Sequence, residues 1–160
     1  MRLAAILLAV TALDCRPRQP EPTGPPAGFE HAYAAPDCAP WDGYAVSLVL
    51  RGTSLAPLDS MIEAGDDPQL RLAIYPRDSR GVGRSGVRPG IARWPGDPEV
   101  AGGSLCEAGR CTAIPRGSIT IREASDDGRL RGVVDLTLGD SGSVRGTFDA
   151  AWRQRMRLCG

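Results

Sequence analysis

Cysteine is the residue type in this sequence whose chemistry is most constrained by spacing, and there are 5 of them. Cys38, Cys106, Cys111 and Cys159 allow three disulfide pairings, and sequence position alone does not choose among them. Proximity favours one choice. Cys106 and Cys111 bracket Glu107-Ala108-Gly109-Arg110, while Cys38 and Cys159 sit at the two ends of the folded region. In the chain-entropy description, a bond closing a loop of about 120 residues contributes roughly 4 to 5 kcal/mol, more than the local bond does. Zinc is disfavoured, because His31 is the single histidine and no CxxC pair completes a ligand set.

Arg77, Arg80, Arg84, Arg88 and Arg93 crowd one segment. Guanidinium groups at that density can take a phosphate or a polysaccharide carboxylate by charge-assisted hydrogen bonds. Asp78 and Asp97 dilute the charge, so an anion-binding loop competes with a merely solvated one. Gly81-Val82-Gly83-Arg84-Ser85-Gly86 has the GxGxxG spacing that cradles a pyrophosphate at a helix start. Pro89, Pro95 and Pro98 forbid the long helix that this chemistry needs. Asp66-Asp67 and Asp126-Asp127-Gly128 do not follow an alternating calcium loop and read as turns. No Asp or Glu sits at a spacing that singles it out for paired-carboxylate hydrolysis.

Gly139-Asp140-Ser141-Gly142 resembles the nucleophile motif of trypsin-like serine proteases, and His31 precedes it in the order that family uses. The resemblance ends there. His31 lacks the surrounding motif, the chain is too short for two six-stranded barrels, and the same four residues make a good hairpin turn. No catalytic residue is assigned.

Met1-Arg2 and the apolar run Leu3 to Leu13 have the form of an export signal, too short to span a bilayer. Cys15 follows directly, then Arg16 to Gly28 with Pro17, Pro20, Pro22, Pro25 and Pro26. This layout resembles bacterial lipoprotein precursors, in which the cysteine thiol receives diacylglycerol and becomes the new amino terminus. The resemblance implies lipidation of Cys15 and a membrane partner held through the lipid. Ala12-Leu13-Asp14 departs from the usual small-residue box before the cysteine. The alternative is ordinary cleavage after Val10-Thr11-Ala12, with secretion and a free Cys15 thiol.

All 19 basic residues are Arg, matched by 19 acidic ones, so no net field favours nucleic acid. The 20 Gly and 14 Pro reflect coding bias rather than chemistry. After the leader and a solvated Pro-rich tether, roughly 120 residues remain, enough for one domain. The organisation expected is therefore a signal peptide over 1–14, a lipidated cysteine and tether over 15–28, and a β-rich domain over 29–160.

Alternating hydrophobicity places a half-buried strand at Tyr44 to Arg51 and a second at Leu70 to Ile74. Pro57 to Ala64, with Leu58, Met61 and Ile62 at helical spacing and Gly65 beyond, predicts one short helix. From Pro76 to Pro115 the pattern dissolves into loops, with a short strand near Ile91 to Trp94. The last third predicts a three-stranded meander. Its inner face carries Ile119 and Ile121, then Leu130, Gly132, Val134, Leu136 and Leu138, then Val144, Gly146, Phe148, Ala150 and Trp152. Parity pairs Ala124 with Arg129 and Ile119 with Val134 across the first turn. Across the second it pairs Leu138 with Val144, Val134 with Phe148, and Leu130 with Trp152, with Gly142 left-handed. Inward glycines leave space for Trp41 or Trp94.

Gly146-Thr147-Phe148-Asp149-Ala150 with a closing cysteine also resembles uncharacterised bacterial lipoproteins whose β-rich domains end in a G-x-F-x-A strand. That resemblance covers about the last 45 residues and implies no activity. The fold expected is mainly β, a small antiparallel β-sandwich or open barrel with one short helix. The function expected is a non-enzymatic binding or structural module of the cell envelope, in the outer membrane or periplasm. Its protein or polysaccharide partner is unspecified, with no nucleic acid, metal or cofactor. A small secreted hydrolase or ligand carrier with a loop-built site is the competing expectation, and a polar cleft near Arg77 to Arg93 would favour it.

Overall fold

A computed structural model of the chain describes residues 20–40, 43–54, 68–75, 87–95, 101–125 and 128–153. Within them the chain forms β1 (His31–Cys38), β2 (Tyr44–Arg51), β3 (Gln69–Ile74), β4 (Gly90–Trp94), β5 (Ala101–Glu107), β6 (Arg110–Ala113), β7 (Arg116–Ala124), β8 (Arg129–Thr137) and β9 (Ser143–Trp152). These make one 9-stranded sheet in the order β4-β7-β8-β9-β1-β2-β3-β5-β6. Neighbours are antiparallel except β1 and β9, which run parallel at Tyr33–Ala151 and Ala34–Trp152. The sheet curls into a half-barrel, the mainly β, open-barrel form that the alternation implies.

Chain connectivity explains the curl. Only Ile114 and Pro115 join β6, at one edge, to β7, next to the other edge. Two linking residues bridge at most about 11 Å. A flat sheet would hold those strands apart by seven inter-strand spacings, roughly 33 Å. The sheet must therefore bend until its edges approach. The Trp94 Nε1–H of β4 then donates to the Ile114 carbonyl at 2.9 Å, and the Ile114 amide donates to the Gly103 carbonyl of β5 at 2.8 Å.

The concave face is the core. Leu48, Leu50, Leu70, Leu72, Ile119, Leu130, Val134 and Leu136 are all buried there, with Phe148 and Ala150. Burying each large aliphatic group contributes about 1.5–3 kcal/mol of transfer free energy. The period-two reading of the last third thus holds: Ile119 faces Val134, and both share a face with Phe148.

Two register expectations need correction. Across the first turn, Ala124 pairs with Leu130 rather than Arg129, because the ladder shifts between Ile121 and Glu123 and bulges at Arg122. Across the second, Leu136 rather than Leu138 opposes Val144, Gly132 rather than Val134 opposes Phe148, and Leu130 opposes Ala150 rather than Trp152. The faces are as expected, but the strands are slid by one pleat. The Leu138 amide donates to the Gly142 carbonyl at 2.8 Å, closing the loop around the 3-10 turn Gly139–Ser141, with Gly142 at φ +94°.

Three further expectations change. β2 is not half-buried: Ala45, Val49 and Arg51 on its second face are buried as well. The stretch read as loops contains β5 and β6, whose Ala-Gly-Gly-Ser start carries little alternating signal. Residues 24–28 are also not a solvated tether, because Pro26 is fully buried and the Gly24 carbonyl accepts the Thr147 amide at 2.8 Å. A Cβ on Gly146 would stand 2.3 Å from the Pro26 nitrogen, so the inward glycine of β9 makes room for this arm. Gly132 makes room for Phe148, whose Cζ would lie 2.8 Å from an added Cβ, and Trp94 lies over Gly117 instead.

Cys15, Trp41, the expected helix at 57–64, Asp66, Asp67, Arg77, Arg80, Arg84, the glycines at 81–86, Asp126, Asp127 and Cys159 lie outside the described residues.

Candidate functional site

The convex face of β4, β7, β8 and β9 collects the side chains left over once the core parity is assigned. Cross-strand pairing sets them in rows. Arg93, Ser118, Asp135 and Arg145 form one row, and Ile91, Thr120, Val133 and Thr147 the next. Glu123, Arg131 and Asp149 form a third, beside the bulge. Opposed residues in such rows lie close enough for their side chains to interact directly.

The third row is an ion-pair ladder. Arg131 Nη1 lies 3.0 Å from Glu123 Oε2 and its Nε lies 3.3 Å from Asp149 Oδ1. Arg129 adds a pair to Asp149 at 2.7 Å. The Glu123 hydrogen bond, with that of Asp149, raises the pKa of the Arg131 guanidinium above its already high value. The hydrogen bond from Arg129 first, and then Arg131, holds the Asp149 carboxyl below the usual carboxylate value despite some desolvation. In the first row Arg145 lies 3.5 Å from Asp135, an ion pair without hydrogen-bond alignment.

The amino-terminal arm crosses this face. Glu21 pairs with Arg122, the bulge residue, and Pro20 and Pro22 line a shallow trough with Ile91, Arg93, Thr120, Val133 and Arg145. The trough measures about 680 Å³. A second hollow of about 450 Å³ opens where the arm turns inward, walled by Pro25, Phe29, Arg122, Arg131 and Phe148. The arm therefore starts outside the sheet at Pro20, passes beside β9 at Gly24, and ends inside it at Pro26.

Chemically, this face can bind but holds its charges in mutual pairs. Arg116, at the start of β7, is exposed without a carboxylate partner among the described residues, and so is Arg93 on edge strand β4. Beside it stands Ile91, 53% exposed, the exposed large hydrophobic side chain of the described residues. A guanidinium with no carboxylate partner among the described residues, next to an exposed aliphatic group, suits a phosphate or carboxylate carried on an amphipathic partner.

The other residues singled out from sequence fall as follows. Cys106 and Cys111 are joined, directly opposed across the β5–β6 hairpin whose turn is Ala108-Gly109. Cys38 closes β1 and is disulfide-bonded, and the partner assigned to it, Cys159, lies outside the described residues. Arg88 is exposed just before β4, and Arg93 stands on a strand rather than in a loop. His31 begins β1 near the level of Asp149, whereas Ser141 lies in the turn before β9, beyond the roughly 20 Å of strand from Asp149 to Ser143. The structure keeps those two apart and builds no triad from them. Among the described residues, no group of three His, Cys, Asp or Glu side chains could hold a metal ion.

Reasoning from sequence alone missed the arm and the convex rows. A signal for the rows was present: the alternation that points Leu130, Val134 and Phe148 inward points Arg131, Asp135, Arg145 and Asp149 outward. No protein-family model, curated protein or solved structure matches the chain.

Proposed function

We propose that the chain is a cell-envelope lipoprotein, anchored through diacylglycerol on Cys15, whose β-domain serves as a non-enzymatic binding or structural module. The observation that carries this reading is the run Leu3 to Leu13 ending at Cys15, the one cysteine that lies ahead of the strands. The Cys106–Cys111 bond supports it, since disulfides form and persist outside the reducing cytosol. A convex face built of paired charges supports a module that meets partners over a surface. Arg93, without a carboxylate partner among the described residues, offers one point for an anionic group.

The test is fractionation of the full chain and its Cys15→Ser variant. The unaltered chain is expected with the membranes and the variant in the soluble fraction. Equal partitioning of the two overturns the anchor.

A further inference from the structure

From the course of the arm, we infer that the convex face of β4, β7, β8 and β9 lies against a phospholipid surface, with Ile91 and Arg93 at the headgroups. This inference rests on acylation of Cys15 and adds an orientation to it. Pro20 lines the trough on that face with Ile91 and Arg93, and Glu21 pairs with Arg122. Cys15 precedes Pro20 by five Cα steps, which reach at most about 18 Å whatever their conformation. An acylated cysteine sits at the edge of the hydrocarbon, beneath a headgroup layer about 5–7 Å thick. Pro20 is thus held within roughly 12 Å of the headgroup surface, while a domain of this size is roughly 30 Å across. The face bearing Pro20 has no room to turn away. A tether running to residue 28 would have left every orientation open; the packed arm removes that freedom.

The chemistry of the face fits the occupant. A bilayer surface presents phosphates above an apolar layer. The face presents an exposed aliphatic side chain beside a guanidinium with no carboxylate partner among the described residues. Arginine at such a boundary places its head on phosphate and its stem on apolar surface.

The test uses the full chain, purified from membranes after metabolic labelling with palmitate and placed in phospholipid nanodiscs doped with a gadolinium-chelating headgroup. Paramagnetic broadening of backbone amides falls with the sixth power of distance. Amides of Glu21, Ile91 and Thr120 are expected to broaden at least about tenfold more than those of Val49 and Ala73, on β2 and β3 across the core from β7 and β8 in a domain roughly 30 Å wide. Equal or reversed broadening in protein carrying the label overturns the orientation and leaves the anchor standing. Absence of label at Cys15 overturns both.

Discussion

β8 and β2 belong to the same sheet yet are solvated in opposite ways. Along β8, Leu130, Gly132, Val134 and Leu136 are buried, while Arg131, Asp135 and Thr137 are exposed, so the strand divides cleanly into a core side and a water side. Along β2, Val46, Leu48 and Leu50 are buried on the concave side, and Ala45, Val49 and Arg51 are buried on the other. Val49 packs there with Tyr33, Ala35 and Ala151. One wall of the half-barrel is therefore enclosed on both faces, and the other is buried on one face and open to solvent on the reverse. Substitutions on the reverse of β8 are expected to leave the core intact, whereas the same changes on the reverse of β2 are not.

A carboxylate at matched outward positions on the two strands separates the walls most strongly. Val49→Asp buries a charge among apolar neighbours and is expected to cost about 3–5 kcal/mol. Val133→Asp, on the convex side of β8, is expected to cost no more than about 1 kcal/mol. Denaturant midpoints of the two variants measure the difference, and similar losses would erase the distinction between the walls.

The two inward glycines of β8 and β9 differ in what an added methyl group would meet. A Cβ on Gly132 would meet the Thr120 carbonyl oxygen at 2.1 Å and the Phe148 ring at 2.8 Å, inside the rigid ladder. Gly132→Ala is expected to destabilise the domain by about 3 kcal/mol, read as a fall in melting temperature. At Gly146 the obstacle is Pro26 of the arm, at 2.3 Å. Gly146→Ala is expected to displace the arm while the sheet survives, at about 1 kcal/mol, with hydrogen exchange at the Thr147 amide rising roughly tenfold. Unchanged exchange there would show that the arm is not held as described.

The smallest effect belongs to the surface ladder. The native pKa of Asp149 lies below the ordinary 3.8, so its contribution is complete above that value and is lost as the pH falls through the lowered native one. Asp149→Asn is expected to lower the unfolding midpoint slightly at neutral pH, with the gap to the unaltered protein closing in strong acid. The pair is half-exposed, so added salt narrows the gap as well. A gap that widens in acid would reverse the sign of the argument.

The strands legible in sequence are those with one wet face. β7, β8 and β9 announce themselves by strict alternation, and so does the concave side of β2. The second buried side of β2 is carried by Ala45 and Val49, residues that fit either environment. β5 begins Ala-Gly-Gly-Ser and pairs mainly through its backbone, which leaves almost no trace in side-chain type. The one-pleat slip between β8 and β9 was decidable, because only the observed register sets Arg131 opposite Asp149 and Asp135 opposite Arg145. Pairing by hydrophobicity alone prefers Val134 with Phe148. The arm escaped for a different reason. Proline excludes helix and ladder but not burial, and Pro26 fills a gap that exists only because Gly146 lies inward, far along the chain.

Anchoring through Cys15 predicts a definite mass for the mature chain. Intact-protein mass spectrometry of membrane-extracted material is expected to show a polypeptide beginning at Cys15 and carrying the mass of a diacylglyceryl group. A chain beginning at Leu13, with an unmodified Cys15 thiol, would contradict it.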